Sequence, residues 1–149
     1  LRVWLVALLL AAAPALAQER LIDPGPESAR ETALVVIKHL AAGELEQAAA
    51  LSNAPKRRFE VLRDYRDSVG EEQFKRSFGR FLSPENRLIA EVAIGPRRLL
   101  VWELGEAGGE LAGQFYVEVD GKFVLDDVPS RERDELRRVL RRYRSEQKN

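Results

Sequence analysis

RLIAEVAIGPRRLLVWELGEAGGELAGQFYVEVDGKFVLDD, residues 87–127, is the stretch that decides the fold. Leu88, Ala90, Val92 and Ile94 alternate with Ile89, Glu91 and Ala93, which is the two-residue period of a strand. Gly95-Pro96 turns the chain. Leu100, Trp102 and Leu104 then alternate with Leu99, Val101 and Glu103, leaving both faces mostly apolar, as in a central strand covered on each side. After a glycine-containing loop from Gly105 to Glu110, Leu111, Gly113, Phe115, Val117 and Val119 alternate with Ala112, Gln114, Tyr116 and Glu118. Asp120-Gly121 is a hairpin turn signal, because a two-residue turn needs positive φ at both central positions and this pair tolerates it. Lys122 to Asp126 returns with Phe123 and Leu125 on one face. The expected product is a four-stranded antiparallel meander over 87–127.

On the N-terminal side the period changes to that of helices, over 27–83. Ala33, Leu34, Ile37, Leu40 and Ala41 share one side of a first helix that Gly43 stops, and Leu45, Ala48, Ala49 and Leu51 belong to a short second one. A third region after Pro55 carries Phe59, Leu62, Tyr65 and Val69 and is interrupted at Gly70. Its continuation from Glu71 carries Phe74, Phe78, Phe81 and Leu82, aromatic anchors each contributing about 2 to 3 kcal/mol if buried. On the C-terminal side a basic helix over 130–147 opens at Pro129-Ser130 and bears a narrow stripe of Leu136, Val139, Leu140 and Tyr143. Helices first, then a meander, is an α+β order in one domain over 18–149.

Composition narrows the chemistry. The 149 residues hold 24 Lys+Arg against 24 Asp+Glu, one His and no Cys. Disulfides, thiolate catalysis and nitrogen-rich metal sites are therefore excluded, and no cofactor motif is present. The first 17 residues read as a secretory signal: Arg2, an apolar run from Val3 to Ala13, Pro14, then Ala15-Leu16-Ala17 as the cleavage site. The apolar run is short for a membrane span, so the mature chain is expected to have no transmembrane segment and to be periplasmic or secreted. Arginine outnumbers lysine 19 to 5, the bias of a GC-rich bacterial coding sequence.

Two segments carry a family likeness: Ala33 to Leu51, a helix, an "AAGELEQAA" break and a short helix, and Phe115 to Val128, "FYVEVDGKFVLDDV". In element order the chain resembles the small secreted bacterial members of the NTF2-like superfamily of cone-shaped α+β domains. That resemblance implies helices packed on a curved sheet, here with an additional C-terminal helix. Homodimerisation through an exposed sheet and a cone pocket are also implied. Some members are isomerases, dehydratases or hydrolases of small molecules, the alternative to a non-catalytic role. One departure is the lack of a clear strand between the second and third helical regions.

Few individual residues offer chemistry. His39 falls about 150° from the apolar stripe of its helix and is expected to face water. Trp102, Glu103, Gln114, Phe115, Tyr116 and Glu118 are candidate ligand-pocket residues by alternation, Tyr116 with a neighbouring carboxylate supplying polar contacts and Trp102 with Phe115 the apolar wall. Glu91 shares that ambiguity between cavity and water. Asp126 and Asp127 point to opposite faces of a strand and cannot both reach one metal ion, so strand-end and helix-start roles are expected. Arg137, Arg138, Arg141 and Arg142 stud the last helix, either as a solvated face with local pairs such as Asp134 to Arg138 or as a surface for an envelope protein. Balanced charge and the absence of a binding motif argue against nucleic acid. The expected function is binding of an unknown small ligand or partner by an exported, non-catalytic domain.

Overall fold

The computed structural model describes residues 18–105 and 108–148. The expected secretory segment lies outside them. In chain order the elements are β1 (Glu19–Leu21), α1 (Arg30–Ala41), α2 (Leu45–Ala49), α3 (Pro55–Val69), α4 (Glu71–Gly79), a 3-10 turn (Arg80–Leu82), β2 (Arg87–Ile94), β3 (Arg97–Leu104), β4 (Glu110–Val119), β5 (Lys122–Leu125) and α5 (Arg131–Gln147). The strands form one antiparallel sheet in sequence order. The protein is therefore α+β, with the meander where alternation placed it and both turns as expected. Asp120 and Gly121 adopt φ of 51° and 78°, the left-handed pair that a tight hairpin requires.

The sheet has five strands where four were expected. Glu19 to Leu21 pairs with Ile94 to Val92 through backbone hydrogen bonds, and three exposed residues of mixed polarity carry no periodic signal. A second correction concerns β2. Leu88 pairs with Trp102 but Ala90 pairs with Val101, so a bulge between them reverses the alternation. Leu88 joins the core on the Trp102 side, while Ala90, Val92 and Ile94 face the opposite way.

Both sheet faces are covered. Ala33, Val36, Leu40, Leu45, Ala48, Leu62 and Phe74 of α1–α4 pack against Leu100, Trp102, Leu104 and Tyr116. On the reverse, Leu136, Val139 and Leu140 of α5 pack against Val92, Ile94, Leu99, Val101 and Leu111. Gly113 permits this approach, since a Cβ there would stand 2.5 Å from Leu140 Cδ2. The segment between α2 and α3 lies along the outer edge of β5, where Ser52 makes one parallel bridge with Leu125. Pairing stops there because Pro55 opens α3 three residues later.

Helix ends are held partly by remote groups. Ser130 caps α5, its Oγ accepting from Arg133 N at 3.1 Å, so the helix-start role considered for Asp127 belongs to Ser130. The N-cap residue of α1, Ala29, has no side-chain acceptor to cap with, and locally only the Ser28 hydroxyl serves, accepting from Arg30 N at 3.1 Å. The buried Glu91 carboxylate of β2 accepts from Ala29 N at 2.9 Å and from the Ser28 hydroxyl, placing an anion at the positive end of the helix. Glu91→Ala leaves the Ala29 N–H buried without an acceptor. It is expected to lower stability by about 1 to 3 kcal/mol, measured as a drop in the urea midpoint at unchanged slope.

Candidate functional site

A cavity of about 230 Å³ lies between the helices and the sheet, reaching the edge of β4 where β5 stops. Val36, Ile37 and Leu40 of α1, Leu62 of α3, and Phe78 and Phe81 give it an apolar wall. Gly113 to Tyr116 form its sheet side, Leu125 and Asp126 its rim, and Arg58 and Arg133 reach it from α3 and α5.

Tyr116 is the distinctive group. It is 0% exposed, and its hydroxyl has no hydrogen-bond partner. Burial pushes the phenol above its ordinary range, partly offset by the Arg58 charge, so it stays protonated and is an O–H donor lacking an acceptor. A buried hydroxyl normally finds a partner, because losing water without one costs about 1 to 3 kcal/mol. Beside it on the same face, Gln114 Oε1 accepts from Trp102 Nε1 at 2.9 Å, which leaves the Gln114 amide NH₂ as a further donor.

The acceptors nearby are already engaged. Asp127 accepts from Arg58 Nε at 2.9 Å, from the second Arg58 nitrogen, and from the Ser52 hydroxyl. Burial alone would raise its pKa, but the hydrogen bonds from Arg58 and Ser52 and the guanidinium charge outweigh it and hold the carboxyl below its usual range. Asp126 accepts from Arg97 Nη1 at 2.6 Å and Asn53 Nδ2 at 3.0 Å. The two acids thus serve different arginines, as opposite-facing neighbours must, although the expected strand-end and helix-start roles give way to buried ion pairs. Among the described residues no group of three or more His, Asp or Glu side chains could hold a metal ion.

Arg133 contrasts with these. Its Nε is buried without a partner, and its guanidinium lies 5.9 Å from the Phe115 ring centroid, as does that of Arg137. Burial, then repulsion from Arg137, pulls the Arg133 pKa down, against the attraction of Asp126 and Asp127.

The six residues read as pocket candidates do not stay together. Trp102, Gln114, Tyr116 and Glu118 share the α1–α4 face, but Glu103 and Phe115 lie on the α5 face. Gln114, Phe115 and Tyr116 line the cavity, Phe115 from its edge. Glu103 is taken up by Arg87 at 2.8 Å, and Glu118 stands 3.9 Å from Arg98. On α5, Arg142 binds Glu19 at 2.9 Å, Arg138 pairs with Glu135 in place of the expected Asp134, and Arg141 is exposed. His39 is half-exposed and 3.2 Å from Glu44, away from the cavity.

Sequence reasoning missed Arg58, Arg133 and Val36. The first two were visible as charges in stripe positions: Arg58 stands four residues before Leu62, and Arg133 three before Leu136 and seven before Leu140. Comparisons with protein-family models, curated proteins and solved structures give no match to this chain.

Proposed function

We propose that this is an exported, non-catalytic domain of the NTF2-like kind that binds a small apolar molecule in the cavity beside β4. The observation that carries the reading is the fully buried Tyr116 side chain, which lines this largely apolar cavity and whose hydroxyl has no hydrogen-bond partner. A volume of about 230 Å³ falls below the roughly 300 to 1,000 Å³ of pockets for drug-sized ligands, which favours a small guest.

Binding is favoured over turnover by the state of the carboxylates. A general base needs a free lone pair and a pKa near working pH. Asp127 already accepts three hydrogen bonds and is held acidic, and Asp126 is paired with Arg97. Among the described residues no helix is long and apolar enough to cross a membrane, which fits the expectation for the mature chain.

Octan-1-ol is a suitable neutral probe. It is expected to shift the amide resonances of Gly113 to Tyr116 in an NMR titration, and Tyr116→Phe is expected to weaken that binding while leaving the ligand-free protein equally or more stable, since an unsatisfied hydroxyl has been removed. Unperturbed resonances would defeat the cavity reading. Hydrolysis or isomerisation of small carbonyl or epoxide compounds that Tyr116→Phe abolished would defeat the non-catalytic one. Cell fractionation tests export.

A further inference from the structure

Resting on that reading, we infer that the guest is a small monocarboxylate, its apolar body against Val36, Ile37, Leu40 and Leu62 and its carboxylate at the mouth against Arg133. Among the described residues, the side-chain groups left over at this cavity can all donate: the Tyr116 hydroxyl, the Gln114 amide NH₂ and Arg133 Nε. The acceptors are occupied, Asp127 by Arg58 and Ser52 and Asp126 by Arg97 and Asn53. A cavity whose unpartnered groups can all donate is complementary to an acceptor, and one with a guanidinium at its edge to an anion.

The surrounding charge is positive on balance, because Asp126 and Asp127, which attract Arg133, are each paired with another arginine. Arg133 sits in the first turn of α5, at the positive end of the helix, where a cation is disfavoured. Arg137 stands over the same Phe115 ring, and both it and Arg57 repel Arg133. Glu132, the next residue, is 3.9 Å from Arg97. A bound carboxylate relieves this crowding while the Phe115 ring flanks it. The planar guanidinium suits a carboxylate, which it can bind with two parallel hydrogen bonds.

The test compares octanoate with octan-1-ol on the intact protein, by NMR or calorimetric titration at two salt concentrations. Octanoate should bind at least about tenfold more tightly, the scale of one charge-assisted hydrogen bond, and its advantage should shrink as salt rises. Arg133→Gln should remove the advantage, weakening octanoate binding far more than octan-1-ol binding. Arg138→Gln, whose charge pairs with Glu135, should behave as wild type. Thermal unfolding of each variant checks that it is folded. Equal affinities for the two probes, or octanoate binding indifferent to Arg133→Gln, would overturn the carboxylate assignment while sparing the cavity. Failure of both probes to bind would remove the cavity reading and this inference with it.

Discussion

Phe74→Ala should destabilise the protein by about 3 to 5 kcal/mol, the cost of emptying a fully enclosed aromatic site. Phe74 is the point where α4 meets the rest of the core. Its ring lies 4.9 Å from that of Phe78 and 5.7 Å from that of Tyr65, so the substitution also removes two aromatic contacts. At this chain length the melting temperature should fall by roughly 10 °C. Phe78→Ala, at a half-buried position, should cost less. Equal losses from the two, measured by urea unfolding, would contradict the packing described for α4.

The second large effect concerns the Arg58–Asp127 pair. Arg58→Ala leaves a carboxylate buried with the Ser52 hydroxyl and only the more distant Arg133 charge. A loss of about 3 kcal/mol is expected at neutral pH, at the low end for buried pairs because Arg58 retains 28% exposure. The pH dependence has a definite sign. Asp127 titrates below its ordinary range when folded, so its contribution is complete above the unfolded carboxyl value of about 4 and is lost as pH falls through the lower folded one. Wild-type stability should therefore decline on acidification below about pH 4. In Arg58→Ala the burial penalty is no longer offset, so the gap between variant and wild type should narrow toward acid pH. A gap independent of pH, measured by urea unfolding at pH 7 and pH 3, would show that the two groups are not coupled.

These two sites differ in how far sequence exposes them. Phe74 follows from helical spacing, as do Leu136 and Leu140, because one apolar face on a rod has few places to go. The hairpins follow from local turn chemistry at Gly95-Pro96 and Asp120-Gly121. Arg58 and Arg133 were hidden by the ordinary preference of arginine for water, which their stripe positions override only once Asp127 and Phe115 are known to stand opposite. The division of Phe115 and Glu103 from Tyr116 follows from strand alternation itself, but which face encloses a cavity depends on where four helices and one helix settle. The bulge after Leu88 and the pairing of β1 depend on backbone hydrogen bonds that leave no imprint on residue type.

Adjacent aspartates tie the link between β5 and α5 to two separate elements, Asp126 to β3 through Arg97 and Asp127 to α3 through Arg58. The chain entering α5 is thus held at two neighbouring points just ahead of the helix. The guest proposed above would therefore enter past the side chains at the cavity mouth, Arg133 among them, with this link held in place. Capture should be fast for every guest of the right size, and discrimination should reside in how long each one stays.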